Sequence, residues 1–258
     1  MKTAIITGAS SGIGREFVQQ ISAKARGIDE LWVIARRENR LVQLQKELKI
    51  PVRIFIYDLA LPQSIADFKL QLTTLKPDVT LLVNCAGYGK FGSYAEISDE
   101  QALGMIDLNC RALVAMTSAV LPYMKRGASI LQMASTSSFQ PLPDMAVYAA
   151  GKAFVVSYSR ALHAELKPRG ITCTAVCAGW MKTEFFETAK STANPQAVNN
   201  FAFIQDPAEV VAKALRDTCR HKDISVCGGF NKLHRLTAKL LPNRLVMSVW
   251  MKAKQKER

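Results

Sequence analysis

Short apolar runs and longer mixed runs alternate along most of the chain. Seven runs, at 3–7, 31–35, 52–56, 79–84, 129–133, 172–176 and 224–227, are dominated by Val, Ile, Leu and Ala and carry little charge. Continuous apolar runs this short read as strands buried on both faces. Between them, segments 12–24, 40–48, 64–75, 99–124, 147–166 and 207–219 repeat apolar positions every three or four residues, as Phe17, Val18 and Ile21 do. That spacing predicts helices with one buried stripe. Asp206, followed by Pro207 and then Glu209, marks the start of the last of them, as cap, first-turn proline and back-bonding acid. Strand and helix in alternation predict an α/β chain, a parallel sheet of about seven strands covered by helices on both faces. Right-handed crossovers make it doubly wound, with ligands beyond the carboxyl ends of the strands where their order switches.

The alternation stops after residue 229, which divides the chain into a main domain, 1–229, and a C-terminal extension, 230–258. Within the extension Leu233, Leu236, Leu240 and Leu241 precede Pro242, and Leu245, Val246, Val249 and Trp250 follow it. The pattern predicts two amphipathic helices broken by the proline. Residues 228–258 hold eight Lys or Arg against one acid, Glu257. Two placements fit this pattern: packing on the body or a partner subunit, or peripheral contact with an anionic membrane surface.

Composition narrows the rest. A chain of 258 residues, 49% hydrophobic, suits one large domain with a sizeable core. No run approaches the ~20 apolar residues of a membrane span, and the first strand begins by residue 3, leaving no room for a signal peptide. Six cysteines without a CxxC pair read as reduced core thiols and point to a cytoplasmic setting. Three scattered histidines give no metal site. Of the net charge of +13, residues 228–258 carry +7, and the remaining +6 on the body suits a polyphosphate cofactor or an acyl carrier; zinc-finger and helix-turn-helix patterns are absent, so no nucleic-acid partner is expected.

The chemistry concentrates at two places. Directly after the first strand come Gly8, Ser10, Ser11, Gly12, Ile13 and Gly14, opening the first helix. Strand, glycine turn and helix in that order form a phosphate cradle, in which glycine lets backbone approach a pyrophosphate and the helix start attracts the anion. The second strand ends at Arg36 and Arg37, with no acid where one would hold ribose hydroxyls. Guanidiniums there suit a 2′-phosphate, so the expected cofactor is NADP(H) with Arg36 as main anchor and Arg37, Ser10 and Arg15 assisting; the alternative is a solvated charge pair. The second place is Tyr148 with Lys152 four residues on, hence on one helix face, and Ser135 thirteen residues upstream. A phenol titrates near ~10, and a neighbouring ammonium lowers that value towards use as a proton carrier. A nearby hydroxyl would hold a carbonyl or alcohol oxygen. Taken by itself, the spacing of Tyr148 and Lys152 is more often that of a solvated helix face.

Taken with Asn84-Cys85-Ala86-Gly87 and Asn109, these motifs resemble the short-chain dehydrogenase/reductase family, in its shorter TGxxxGxG form, from residue 3 to about 229. The resemblance implies a Rossmann-like sheet in the order 3-2-1-4-5-6-7. It implies catalytic Ser135, Tyr148 and Lys152, with Asn109 holding a water that bridges to the lysine, and Lys152 also on the nicotinamide ribose. Cofactor contacts extend to Asp58 and Leu59, with Asp58 on the adenine amino group, to Asn84, Ala86 and Gly87, and to Gly179, Met181 and Thr183, the last two at the carboxamide. Ala178 stands where the family has proline. The implied activity is hydride transfer between nicotinamide and a ketone or secondary alcohol, by a homodimer or homotetramer. Phe185, Phe186, Phe201 and Phe203 are expected either to form an apolar lid for a hydrophobic substrate or simply to pack the loop onto the body. The rival readings are a non-catalytic NADP(H)-binding regulator and a membrane-associated protein on the same fold.

Overall fold

The two faces of one sheet are separated residue by residue along its central strands. A computed structural model describes residues 1–24 and 27–254. In β1 (Lys2–Thr7) Ala4 and Ile6 join one core while Ile5 joins the other. After α1 (Gly12–Lys24), β2 (Glu30–Ala35) does the same, with Leu31 and Val33 opposite Trp32 and Ile34. This is the period of two of a pleated strand, and every one of these side chains is essentially sealed from solvent. The remaining elements of the first half are α2 (Glu38–Glu47), β3 (Val52–Ile56), α3 (Pro62–Leu75) and β4 (Asp78–Asn84). The second half holds α4 (Asp99–Ile106), α5 (Leu113–Val120), β5 (Met124–Met133), α6 (Ala146–Leu166), β6 (Thr172–Cys177), α7 (Phe185–Lys190), α8 (Pro207–Cys219) and β7 (Ile224–Val226).

All strand pairs are parallel and the order is β3-β2-β1-β4-β5-β6-β7, as the resemblance implied. The order reverses between β1 and β4, so the crevice opens beyond Thr7 and Asn84. Thr7 pins that junction: its Oγ1 accepts from the backbone N–H of Cys85 (3.1 Å) and Ala86 (3.0 Å). The predicted Asp206 cap forms, accepting from Ala208 N at 2.9 Å, and α4 opens on a capping box between Ser98 and Gln101.

The expected helix 99–124 is four pieces. A π-helical turn, Asp107–Ala112, lies between α4 and α5, and a short 3₁₀ turn follows at Leu121–Tyr123. By length and composition the run Asp99–Tyr123 could cross a membrane, which corrects the expectation that no run approaches that size. Its inner residues Met105, Leu113, Met116 and Val120 are buried in the body. The six cysteines are free thiols.

The extension continues as α9 (Gly229–Leu240) and α10 (Asn243–Ala253), separated at Pro242 as predicted. Residues 255–258, including Glu257, lie outside the described residues. α9 rests on the segment after β5, where His234 Nε2 lies 3.0 Å from Gln140 Oε1. α10 is held by Trp250 Nε1 donating to Pro143 O (2.9 Å) and by an ion pair between Lys254 and Asp144.

Candidate active site

The crevice beyond the strand ends is a cleft of about 790 Å³. At its floor the glycine loop turns into α1. A Cβ on Gly14 would collide with the Gly8 carbonyl, so only glycine lets the helix start this close to the strand end. Gly8, Ser10, Ser11, Gly12, Ile13 and Gly14 all line the cleft, together with Arg36, Arg37, Asp58, Leu59, Ala86, Gly87, Ser135, Tyr148, Lys152, Gly179, Met181 and Thr183. The structure thus brings together every predicted site residue except three, Asn84, Asn109 and Arg15. Asn84 turns beneath the cleft, where its Nδ2 donates to Gln132 Oε1 (2.9 Å) and Thr117 Oγ1 (3.1 Å). Asn109 sits behind the wall: its side chain holds the backbone of Tyr88 at both ends, with Tyr88 N donating to Oδ1 (3.0 Å) and Nδ2 donating to Tyr88 O (2.7 Å).

The π turn explains Asn109's aim. An extra residue per turn rotates it off the regular helical face, a distortion frequent at functional sites. It reaches Gly87 so closely that a Cβ there would meet Asn109 Oδ1 at 2.6 Å and Lys152 Nζ at 3.6 Å. The glycine ending this motif is therefore required by the Asn109 amide behind it, the ammonium lying at ordinary contact distance.

Tyr148 and Lys152 lie on the first turns of α6, both buried. Lys152 Nζ stands 5.6 Å over the Tyr148 ring centroid and donates to Met133 O at 2.8 Å. The expectation that the ammonium dominates the phenol's titration is corrected here. Burial dominates and pushes the Tyr148 phenol up to about 12, against a hydrogen bond with Ser135 that pulls it down. Burial also pushes the Lys152 ammonium down to about 8. The Cys85 and Cys177 thiols near it are themselves raised to about 12, so they stay neutral. The arrangement is a neutral phenol that can donate a proton, beside a hydroxyl that can hold an oxygen. Ser135 is the serine of its run that lines the cleft and bonds the Tyr148 phenol; Ser138 Oγ donates to Ser135 O at 2.6 Å and Ser137 N to Ser135 Oγ at 3.2 Å, fixing it in place.

At the far end of the cleft the two arginines differ. Arg36 is largely exposed, its nearest acid being Asp58 at 3.5 Å. Asp58 also accepts from Ala60 N at 3.0 Å, stiffening the turn into α3. Arg37 is engaged: it donates to Ser10 Oγ (3.2 Å) and Ser11 Oγ (2.6 Å) and pairs with Glu184 at 2.9 Å. Arg40 takes the other oxygen of Glu184, and the two guanidiniums hold that carboxyl below its ordinary range. Arg15 is turned to Glu47 at 2.7 Å, away from the expected phosphate site.

The wall over Tyr148 is aromatic. Phe185 lies 5.5 Å from the Tyr148 ring, and Phe91, Trp180, Phe186 and Phe201 stack around it at 4.5–6.2 Å. Phe203 is not part of it; it is exposed and stacks on Phe230 at 4.1 Å. The lid is fastened by residues that sequence reasoning did not single out for the task. Lys90 Nζ, buried, donates to Thr188 O (2.9 Å), Ser191 O (3.0 Å) and Ser191 Oγ (2.6 Å) at the end of α7. Gln205 Oε1 accepts from Gly179 N at 3.0 Å and its amide donates to Cys227 O at 3.1 Å, tying the loop after β6 to the sheet edge. A lysine buried in the segment 88–91 and a glutamine far along the loop carry no local signal for these ties.

The family model for short chain dehydrogenases matches residues 2–194. Sulfoacetaldehyde reductase 2 of Chromohalobacter salexigens is 35% identical over 208 residues, covering 76% of this chain and 78% of that protein. A very-long-chain 3-oxoacyl-CoA reductase of Meyerozyma guilliermondii is 30% identical over 214 residues, covering 76% of this chain and 62% of its relative. Among solved structures, a short-chain dehydrogenase from Sphingobium yanoikuyae in complex with NADPH aligns over 100% of both chains with a TM-score of 0.76 at 27% identity.

Proposed function

The chain belongs to the short-chain dehydrogenase family, and from that premise we propose that it is an NADP(H)-dependent oxidoreductase acting on an apolar ketone or the matching secondary alcohol. The observation that carries this reading is the meeting of Ser135, Tyr148 and Lys152 at the inner end of a cleft whose outer end presents a glycine cradle and an exposed guanidinium. The fit to NADP(H) rests on that donor set. The turn at Gly14 leaves no room for a Cβ, which suits close approach by a pyrophosphate. Arg36 offers a fork for a 2′-phosphate. Ala86 and Gly87 line the middle of the cleft, and Met181 and Thr183 its inner edge. The cofactor, when bound, supplies or accepts the hydride.

The chain's own residues handle the oxygen. Ser135 holds the substrate oxygen and stabilises charge as it develops. Tyr148 donates its proton to that oxygen in the reducing direction and takes it back in the other. Lys152 supplies positive charge beneath the phenol, and Asn109 keeps the Tyr88 backbone and the space under Gly87 in place. The aromatic wall excludes water and favours an apolar substrate. The two relatives are named for sulfoacetaldehyde and for very-long-chain 3-oxoacyl-CoA, so the preference is argued from this chain's lining. We also propose self-association in solution, supported by Leu103 and Ile106 on α4 and Phe154 on α6, which are exposed; light scattering checks it.

The test is a screen of ketones and aldehydes of increasing chain length against NADPH oxidation. Tyr148→Phe should lower turnover by about 10²–10⁴-fold, the ordinary contribution of a positioned acid, while NADPH still binds. Turnover unchanged in that variant would remove the assignment.

A further inference from the structure

We propose that the outer face of α9, continued past Pro242 along α10, docks on an anionic lipid bilayer. The surface is independent of the chemistry proposed above; only its link to the substrate rests on that reading.

A helix on a globular body normally turns its apolar stripe inward. α9 does the reverse. Leu233, Leu236 and Leu240 share one face by their spacing and are 58%, 53% and 71% exposed. The face that meets the body carries Asn231 and Ala238, seven residues apart and buried. Asn231 Nδ2 donates to Cys227 O at 3.0 Å, so this polar contact fixes the helix with its leucines outward. In α10, Val246 and Trp250 face the body, while Leu245 and Val249 remain 50% and 60% exposed. One exposed leucine needs no explanation, but a continuous stripe does.

Charge selects the occupant. Lys232 and Lys239 lie four and three residues from Leu236, bordering the stripe, and Lys252 stands three residues beyond Val249. With Arg244 these four are exposed, and none forms an ion pair among the described residues. Between residues 228 and 254 there is no acid at all. A second copy docked face to face would bring these cations against their own equivalents. Anionic headgroups complement them while the leucines enter the acyl boundary.

The surface is also built onto the lid. Phe230 stacks on the exposed Phe203, and Trp250 packs into the aromatic cluster over Tyr148. Docking would seat the apolar wall of the cleft at the lipid surface, where an apolar carbonyl compound is concentrated.

The experiment is flotation of the full chain with vesicles of phosphatidylcholine alone and of phosphatidylcholine mixed with phosphatidylglycerol, at low and high salt. Two variants accompany it, Leu233→Ser/Leu236→Ser/Leu240→Ser and Lys232→Glu/Lys239→Glu/Arg244→Glu. The expected result is binding to the anionic vesicles that falls by about tenfold or more without phosphatidylglycerol, in high salt and in each variant. Both variants should keep the melting temperature and the turnover of a water-soluble ketone; if the serine variant does not fold, the charge-reversed one carries the comparison. No flotation of the unaltered chain with anionic vesicles would overturn the proposal, and so would flotation of both folded variants equal to it. A dimer dissolved by the serine variant would likewise overturn it, by assigning the stripe to a second copy. Failure of the unaltered chain to reduce any ketone would count against the enzymatic reading alone.

Discussion

Burial sets the proton affinities of the two groups at the inner end of the cleft. Tyr148 is pushed up to about 12 and Lys152 down to about 8, so the phenol keeps its proton through the neutral range while the ammonium loses its charge just above it. Ketone reduction should therefore decline as pH rises through about 8, as the charge beneath the phenol disappears; rate profiles across that range, read against binding of NADPH, check the sign. The same shift acts on folding. Lys152 titrates lower in the folded chain than its ordinary 10.5, so the unfolded chain binds more protons between about 8 and 10.5 and this group's contribution to stability rises with pH there. At the other end of the cleft, Arg36→Asp should weaken NADPH by about 10–100-fold relative to NADH, the scale of a lost charge-assisted bond. Paired titrations of both cofactors decide it, and an unchanged ratio would return Arg36 to a solvated charge. The residue types and their spacing were legible in the sequence for all of these positions. Their proton affinities were not, because desolvation depends on everything packed around the side chain.

At the scale of elements, the lid is assembled from segments about a hundred residues apart. Lys90, in the loop after β4, satisfies the open carbonyls at the end of α7, and Phe91 N and Ala189 O bond at 2.8 Å. Lys90→Met should loosen the lid and raise KM for an apolar ketone on the order of tenfold with kcat little changed; a loss of kcat equal to the rise in KM would instead point to a misplaced Tyr148. The π turn at Asp107–Ala112 belongs to the same scale. Periodicity marks 99–124 as helical, and it is, but one inserted residue that redirects Asn109 leaves no trace in a pattern of apolar positions. Asn84 illustrates the complement: its place at the end of β4 was legible, whereas its turn towards Gln132 on β5 depends on a strand paired from almost fifty residues away.

Across the whole molecule, the extension and the lid form one wall. Trp250 closes the back of the aromatic cluster and bonds Pro143 O, and the Lys254 carbonyl accepts from Asn199 N and Asn200 N at 3.0 and 3.2 Å. Trp250→Ala should raise KM for bulky ketones about fivefold, the worth of a lost bond and its packing, while a small soluble ketone is turned over as before; equal effects on both would place the damage in the fold. By itself the sequence determined the alternation of elements, the parallel sheet, the glycine cradle and the pairing of Tyr148 with Lys152, because each is written in contiguous residues or in a fixed period along one element. Only the tertiary structure decided that Phe185 covers Tyr148, that Glu184 draws Arg37 and Arg40 together, and that α9 turns its leucines outward. A helical period defines two faces about the helix's own axis; which of them meets the body depends on contacts such as Asn231 with Cys227, made only when the whole chain has packed.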